Sequence, residues 1–382
     1  MTNDINMKIL FLDQSGKPGG AELCLLDIAK PYRDRCLVCL FADGPFKDLL
    51  QKQQIPVAVL TSQLQVRKES SLLQGLSSLS QLAPLIAQIV KKARAYDLIY
   101  ANTQKALVVG AIASWLSRRP LVYHLHDILS LEHFSSTNLR LAITLANRFA
   151  SLVIANSQAS QTAFVAAGGR PELVHVVYNG FEPELYQLPQ SHPIQKQQLG
   201  LDGFLVGHFS RLAPWKGQHV LLQALTHCPQ DVTAILVGDA LFGEQDYVQY
   251  LHQQVTALGL EQRVQFLGFR SDVIPLMAAC DIVAHTSTAA EPFGRVIVEA
   301  MLCGRPVVAA QAGGAVELVE PGKTGWLVPP GDALQLAAVI NTCRQQPDLA
   351  QSIAQEAQIV ASQRFDLAKI NHDLAQLLLK VK

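Results

Sequence analysis

Two carboxylates eight positions apart, Glu291 and Glu299, mark the stretch of the chain with the clearest chemistry. Pro292 and Gly294 follow the first carboxylate, and mostly apolar residues surround the second. This pattern predicts a loop that becomes a buried helix near Gly294, with Glu299 about one turn inside it.

The tip of such a helix binds anions, because its first N–H groups have no intrahelical acceptor and carry partial positive charge. Glu291 before the tip and Glu299 beyond it can accept hydrogen bonds from hydroxyl groups. The arrangement suits a ligand with phosphate in the middle and polyols at both ends, such as a nucleotide sugar. An exposed loop acid and a helix-face acid with a basic partner would have the same spacing.

A pair of cations follows a predicted strand at 204–210. Arg211 and Lys216 lie five positions apart on a loop that Pro214 and Gly217 restrict. A guanidinium and an ammonium at this spacing can clamp a diphosphate. Two solvated surface cations are the other interpretation.

A glycine-rich loop at 14–20 separates a predicted strand at 7–13 from a helix that begins near residue 21. Strand, glycine loop and helix bring backbone N–H groups close to a ligand, here at Gly19 and Gly20. The loop matches neither the G-x-G-x-x-G pattern nor the P-loop pattern.

Polar residues also follow the other predicted strands of the first half. Because ligands of parallel sheets bind at the carboxyl ends of the strands, these residues are candidates for a site. They are Asn102, Thr103, His124, His126, Asp127, Asn156, Ser157, Asn179 and Gly180. His124 and His126 are two residues apart on one strand, so their side chains share a face.

Short apolar runs alternate with helix-like segments along the whole chain, which predicts an α/β protein with parallel sheets covered on both faces. The predicted strands of the first half lie at 7–13, 36–41, 57–60, 98–101, 121–125, 152–155 and 174–178. Those of the second half lie at 204–210, 232–237, 264–267, 282–284, 306–309 and 326–328. Helices are predicted between them, one of them at 80–95, after an irregular segment at 61–80 that suits a mobile loop or a surface amphipathic segment.

The 382 residues, 49% of them hydrophobic, are enough for two domains with cores of their own. We predict an N-terminal domain at 1–185, a linker at 186–200, a C-terminal domain at 201–365 and a final helix at 366–382.

The chain has a net charge of zero, but residues 1–185 carry 18 basic against 14 acidic side chains, an excess of +4. This favours peripheral contact with an anionic membrane surface, although ordinary surface scatter gives the same excess. No run of 18 apolar residues and no secretory leader is found, which predicts a cytoplasmic protein, either free or peripheral at the inner face of the cell membrane. No basic and aromatic face suggests nucleic acid, and no Asp-x-Asp or metal-spaced His/Cys group suggests a metal.

The order and spacing of these motifs resemble those of the family 4 retaining glycosyltransferases over almost the whole chain. The matching motifs are Gly19-Gly20-x-Glu22, His126-Asp127, Asn179-Gly180, Arg211-x4-Lys216-Gly217, Glu291-x7-Glu299 and Gly313-Gly314-x2-Glu317. The resemblance implies the GT-B architecture, in which two Rossmann-like domains face each other across a cleft. It implies that the domain at 1–185 is the acceptor side, that the domain at 201–365 binds the nucleotide sugar, and that the final helix at 366–382 crosses back onto the first domain. It also implies transfer of a sugar from a nucleotide-diphosphate sugar to a hydroxyl of a glycan, lipid or small-molecule acceptor.

The resemblance further implies roles for individual residues. Arg211 and Lys216 would stabilise the leaving diphosphate, Glu291 would bind the transferred sugar, and Glu299 would bind the ribose. His126 would lie near the reacting centre. Other donor contacts would come from Gly19, Gly20, Gly268, Phe269, Arg270, Phe293, Gly294 and Arg295. Acceptor-side contacts would come from His124, Asn102 and Asn156, with a core histidine as the other interpretation of His124.

In such enzymes the leaving phosphate helps to deprotonate the acceptor, so no protein nucleophile, no metal and no cofactor are expected. Arg295 departs from the apolar residue that many relatives have after the glycine, and the identity of the donor stays open. A GT-B phosphorylase or epimerase and a catalytically silent scaffold are the alternatives. A phosphorylase would need a longer chain, and a scaffold would be expected to lose one of Arg211, Lys216, Glu291 and Glu299.

Overall fold

A computed structural model describes residues 7–60, 72–187, 200, 203–241 and 243–381. The chain forms two compact units, one of Met1–Gly180 with Leu367–Lys382 and one of Phe181–Asp366. The first unit thus ends at Gly180, whereas the sequence prediction ended it at 185. Residues 1–6, part of the irregular segment, 61–71, and most of the predicted linker, 188–199, lie outside the described residues.

The first unit contains a seven-stranded parallel sheet with the strand order β3-β2-β1-β4-β5-β6-β7. Its strands are β1 Ile9–Asp13, β2 Cys36–Leu40, β3 Val57–Val59, β4 Leu98–Ala101, β5 Leu121–Leu125, β6 Ala150–Ala155 and β7 Val174–Val176. Its first helices are α1 Gly20–Ala29, α2 Pro45–Lys52, α3 Leu72–Ala93, α4 Gln104–Ser117, α5 Ser136–Phe149 and α6 Gln158–Ala166.

Apolar side chains of neighbouring strand residues enter two different cores, one on each face of this sheet. Leu10 and Leu12 belong to one buried cluster, and Ile9 and Phe11 belong to the other. The alternation follows from the strand geometry, in which successive side chains point to opposite faces. It explains why these strands are continuous apolar runs rather than alternating apolar and polar residues.

Helix α3 begins at Leu72, eight residues before the predicted start at 80. Gly75 and Pro84 both lie inside it. Glycine and proline are poor residues for a helix interior, so they weaken the sequence signal for the first half of this helix.

The second unit contains a six-stranded parallel sheet with the strand order β10-β9-β8-β11-β12-β13. Its strands are β8 Phe204–Phe209, β9 Val232–Val237, β10 Val264–Gly268, β11 Ile282–His285, β12 Val307–Ala310 and β13 Trp326–Val328. Its helices are α7 Gln218–Leu225, α8 Gln245–Ala257, α9 Val273–Ala279, α10 Arg295–Leu302, α11 Ala315–Leu318, α12 Ala333–Gln345 and α13 Pro347–Arg364.

The last helix, α14 Leu367–Leu379, belongs to the first unit. Its residues Ile370, Leu374 and Leu378 join the same buried cluster as Phe11. Their spacing of four residues places them on one helix face, which is the face that this core buries.

Each sheet reverses its strand order at one point, between β1 and β4 in the first unit and between β8 and β11 in the second. In open parallel sheets, ligands bind outside the carboxyl ends of the strands at such a point. The predicted fold class, α/β with two Rossmann-like parallel sheets, is confirmed.

Candidate functional site

In the second unit, the loops after β8 and β11 bring the predicted cation Lys216 onto the predicted carboxylate Glu291. The ammonium Nζ donates to Oε1 at 2.9 Å and to Oε2 at 2.7 Å. Both side chains are largely buried, with 16% and 10% of their surface exposed. A bidentate contact of this kind fixes the carboxylate.

Two further residues hold the same carboxylate. Ser287 donates its hydroxyl to Oε2 of Glu291 at 3.0 Å, and Nε2 of His285 lies 3.2 Å from Oε2. Because an ionised carboxylate only accepts hydrogen bonds, Nε2 of His285 carries the proton. Oε2 therefore accepts from three groups, whereas Lys216 is the one donor to Oε1 among the described contacts, so Oε1 retains capacity to accept from a ligand.

Glu291 is ionised in this site. Burial opposes its ionisation, but the charge of Lys216 and the hydrogen bond and charge of His285 outweigh burial and hold the pKa of Glu291 far below its usual range. This site is therefore not a pair of acids that share one proton.

The backbone around Glu291 depends on two glycines. Gly217 has φ +72°, and a Cβ there would collide with the carbonyl oxygen of Thr286. Gly313 has φ +61° and lies against the backbone of Glu291, where a Cβ would collide with its carbonyl oxygen. Only glycine permits both the conformation and the close approach.

Arg211, the other predicted cation, lies in the same loop as Lys216. Its Nε is 3.5 Å from Oε1 of Glu244, and its guanidinium lies 6.0 Å from the ring of Trp215. The same ring is 4.0 Å from Nζ of Lys216. The indole therefore lies near both cations and restricts where they can go.

Helix α10 begins as predicted, with Gly294 before its first residue in a left-handed conformation at φ +97°. Phe293 is buried, and Arg295 is the first helical residue. Glu299 lies one turn into the helix, where its Oε1 is 3.4 Å from Nε of Arg295. Glu299, which was predicted to bind the ribose, thus has a basic partner four residues before it.

Three predicted donor contacts lie at the end of β10, with Gly268 as its last residue and Phe269 and Arg270 just after it. Gly268 adopts φ +62°, and its carbonyl accepts from the N–H of Gly238 at 2.8 Å. Phe269 is exposed over 66% of its surface. Arg270 is exposed and pairs with Asp272 through Nη2 at 2.6 Å. An exposed aromatic ring at the carboxyl edge of the sheet is available to a planar ligand.

In the first unit, a chain of hydrogen bonds links the ends of β1, β4 and β5. Asn102 donates through Nδ2 to Oδ2 of Asp13 at 2.7 Å, and its Oδ1 lies 2.9 Å from Nε2 of His126. Since Nδ2 faces acceptors, Oδ1 is fixed as an acceptor, and Nε2 of His126 therefore carries a proton. Asp13, which the sequence analysis did not select, thus orients His126 through Asn102.

The glycine loop before α1 is closed by Glu22, a second acid that the sequence analysis did not assign. Its Oε2 accepts from the N–H of Gly19 at 2.9 Å, and Gly20 starts the helix. Burial and then the charge of Asp13 raise the pKa of Glu22 to about 7. Burial also raises the pKa of Asp13, to about 6, against the lowering effect of its hydrogen bonds.

Replacing Glu22 by glutamine should reveal its raised pKa. The stability that comes from a raised carboxyl pKa is present below the unfolded value near 4.5 and is lost as the pH rises through about 7. The glutamine keeps an oxygen that accepts from the N–H of Gly19. It has no carboxyl group, so it does not lose stability through ionisation as the pH rises. Its free energy of unfolding should therefore gain on that of the wild type by about 1–3 kcal/mol between about pH 5 and 8, measured by urea denaturation. Exposed Glu132, changed to glutamine, is the control; parallel pH profiles for Glu22→Gln and wild type would contradict the assignment.

His124 and Asn156, two of the predicted acceptor-side residues, lie in the interior. His124 is 2% exposed, and its Nδ1 lies 2.8 Å from the hydroxyl of Tyr100. Burial, followed by the charge of His126, lowers the pKa of His124 well below its usual range. Asn156 is 3% exposed and accepts from the hydroxyl of Ser160 at 2.9 Å. These contacts favour a structural role for both.

Cys24, on α1, lies beside His124 of β5 and His126, which follows that strand. One potential ligand atom from each of Cys24, His124 and His126 lies within 4.8 Å of the others. No His/Cys group has metal-ligand spacing along the sequence, but the folded chain brings these three residues to such a spacing. The sequence hides this group because the cysteine comes from another element.

The residues that the sequence analysis did not assign a role are Asp13, Glu22, Cys24, His285 and Ser287. The sequence carries a signal for only some of these residues. Asp13, His285 and Ser287 lie at or just after the carboxyl ends of strands, where polar residues are informative. Glu22 was visible only as a member of a motif.

Comparison with known proteins agrees with these two units. The model for glycosyl transferases group 1 matches residues 191–360, and the model for the glycosyl transferase 4-like domain matches residues 19–180. The crystal structure of Anabaena HepE in complex with UDP-glucose is 67% identical, with a TM-score of 0.92, and the match covers 98% of this chain and 100% of that chain. The chain therefore belongs to the glycosyltransferase family that these models describe, as the resemblance implied, and it has the GT-B fold.

Curated relatives share less. D-inositol 3-phosphate glycosyltransferase 1 of Catenulispora acidiphila is 30% identical over 275 residues, which are 66% of this chain and 65% of that protein. Lipopolysaccharide core biosynthesis glycosyltransferase LpsE of Rhizobium meliloti is 32% identical over 177 residues, 46% of this chain and 50% of that protein. The matched stretch thus spans less than two thirds of the length of either relative. Within the described residues, no helix combines the length and the apolar character that crossing a membrane requires.

Proposed function

We propose that the chain is a retaining glycosyltransferase that transfers glucose from UDP-glucose to a hydroxyl group. Its family membership supports the reaction class, and the UDP-glucose complex of HepE, at 67% identity, supports this donor. The observation in this chain that carries the proposal is the buried Lys216–Glu291 pair at the carboxyl edge of the second sheet. It places a cation and an oriented carboxylate just before the N-terminus of α10.

In this proposal the second unit binds the donor, and its cations stabilise the leaving diphosphate. An ammonium has three N–H donors. Two of those of Lys216 go to Glu291, and in this proposal the third goes to a phosphate oxygen of the donor. Arg211 and the N–H groups of Phe293, Gly294 and Arg295 add positive potential where negative charge develops.

The carboxylates bind hydroxyls rather than exchange protons. Oε1 of Glu291 accepts from the transferred sugar, and Glu299 accepts from the ribose. Gly268, Phe269 and Arg270 contact the base, largely through the backbone. The bond to the acceptor oxygen forms on the face of the sugar that the diphosphate leaves, and a phosphate oxygen takes the proton of the attacking hydroxyl.

The first unit supplies the acceptor side, with His126 held by Asn102 near the attacking hydroxyl. Gly19 and Gly20 allow the backbone of the loop before α1 to approach the substrates. One relative is named for D-inositol 3-phosphate and another for lipopolysaccharide core biosynthesis, and both compounds carry many hydroxyl groups. The acceptor class proposed here is accordingly a polyol or glycan hydroxyl.

Arg211 and Lys216 supply the charge that a metal supplies in other transferases, so chelators should leave the activity unchanged. A cytoplasmic location with peripheral contact on an anionic membrane completes the proposal. It is supported by the +4 excess of residues 1–185 and by Lys91 and Lys92 in the last turn of α3. Cosedimentation with anionic and neutral vesicles tests this contact.

A donor screen tests the function. UDP-glucose, GDP-glucose, ADP-glucose and UDP-galactose are each titrated calorimetrically and then incubated with the enzyme and a panel of polyol and glycan acceptors. We expect UDP-glucose to bind most tightly and to be consumed, with the anomeric configuration retained in the product by NMR. Binding of UDP-glucose without hydrolysis or transfer would instead indicate a silent scaffold, and preference for another nucleotide would overturn the donor.

A further inference from the structure

Arg295 occupies a position that helix electrostatics disfavour. It is the first residue of α10, where the partial positive charge of the helix repels a cation. It also precedes its partner Glu299 by four residues, which is the weaker of the two orders for an ion pair on a helix. In natural proteins, residues that break such local rules are expected at functional sites.

An aromatic platform holds the guanidinium of Arg295 in place. Its Cζ lies 4.6 Å from the centre of the Phe181 ring. Phe181 in turn stacks on Phe293, with ring centres 6.4 Å apart and planes 20° apart, and Phe293 meets Phe365 edge-on at 5.8 Å. All three rings are almost fully buried, so the platform is rigid. A planar cation on such a face has little freedom to move.

The platform directs Arg295 at Glu299. Nε of Arg295 is 3.4 Å from Oε1 of Glu299, and the two side chains expose only 14% and 19% of their surface. A carboxylate has two oxygens and about four acceptor positions, so the pair leaves Glu299 able to accept from further donors. The ion pair restricts the orientation of the carboxylate of Glu299.

We propose that Arg295, held by Phe181, is a positioning residue that presents Glu299 to the vicinal hydroxyls of a ribose. This inference rests on the proposed function, because it assigns Glu299 a ribose partner. Arg295 acts through Glu299 and contacts no phosphate itself. Discrimination between a ribonucleotide and a deoxyribonucleotide is then the property that Arg295 controls.

The test compares binding of UDP and 2′-deoxy-UDP by isothermal titration calorimetry. The wild type should bind UDP about 10-fold to 100-fold more tightly, the range expected for one hydrogen bond to a charged group. Arg295→Met should reduce this ratio to below about 3-fold, mainly by weakening UDP. Arg295→Lys, which keeps the charge and loses the planar contact, should restore part of the ratio.

A double-mutant comparison separates positioning from a general structural effect. In a Glu299→Gln background, Arg295→Met should cause no further change in the ratio, because Arg295 then has no carboxylate to orient. Arg344→Met is the matched control. Arg344 pairs with Asp231 at 2.8 Å on the surface of the same unit, so its loss should leave the ratio unchanged.

Several outcomes overturn the inference. An unchanged ratio in Arg295→Met would do so, and so would an equal loss of affinity for UDP and 2′-deoxy-UDP, which would assign Arg295 to the phosphates. These results leave the proposed function standing. Failure of the wild type to bind UDP would overturn the proposed function and this inference together.

Discussion

Replacing Lys216 by methionine is expected to abolish most sugar transfer and to destabilise the second unit. Methionine fills the space but leaves the buried carboxylate of Glu291 without its cation. Removing one partner of a buried ion pair costs about 3–5 kcal/mol, because the remaining charge is uncompensated. Loss of a preorganised charge at the leaving group should lower kcat by a further factor of about 10²–10³. Chemical denaturation and the rate of UDP release measure the two effects.

The stability loss should depend on pH. In the wild type, the lowered pKa of Glu291 contributes stability that is present above the unfolded value near 4.5 and is lost only in strong acid. In Lys216→Met, burial is opposed only by His285 and Ser287, so the carboxyl pKa rises and the penalty grows as the pH rises through it. The difference between variant and wild type should therefore shrink on acidification from pH 7 towards pH 4.

Two further variants test whether the effects of Lys216→Met are specific to its pairing with Glu291. Lys216→Met combined with Glu291→Gln should regain much of the stability and none of the activity, because it removes the uncompensated charge and not the need for a cation. Lys323 pairs with Glu320 at 2.9 Å on the exposed surface, and Lys323→Met should change neither property. A loss of stability in Lys216→Met that is the same at pH 5 and pH 8 would contradict the pairing described here.

The fold was predictable because it depends on local patterns. Apolar runs separated by helical segments indicate parallel sheets, and strands such as Leu98–Ala101 and Val232–Val237 have the predicted bounds. Strand order is different, since it depends on which neighbours pack together. No local pattern shows that β8 lies beside β11.

Strand order brings distant loops together, which explains which contacts of the candidate site the sequence could not predict. Lys216 and Glu291 were both selected, but as separate contacts to a ligand; their pairing spans 75 residues of sequence. The link from Asp13 to Asn102 spans 89 residues and was missed entirely. Arg295 and Glu299, by contrast, lie on one helix, and the sequence analysis did include a helix-face acid with a basic partner among its alternatives.

Replacing His126 by alanine is the second change with a large expected effect. His126 belongs to the first unit, whereas the residues proposed to hold the nucleotide belong mostly to the second. The substitution should therefore lower kcat for transfer by about 10²–10⁴, the range for loss of a positioned acid–base or hydrogen-bonding histidine, and leave the affinity for UDP unchanged. Single-turnover kinetics and calorimetry separate the two quantities. His175, an exposed histidine on β7 of the same sheet, changed to alanine, is the matched control.

The role of Asn102 sharpens this prediction. Its Oδ1 accepts a hydrogen bond from Nε2–H of His126, which makes Nδ1 the basic nitrogen of the neutral ring. Asn102→Ala keeps the imidazole and removes this control, so transfer should fall by less than in His126→Ala while UDP affinity again stays constant. A parallel fall of transfer and UDP affinity in both variants would mean that the chain from Asp13 to His126 supports the nucleotide rather than the acceptor. Full activity of His126→Ala would remove His126 from the reaction altogether, and the transfer would then depend on the leaving phosphate alone for the proton of the acceptor.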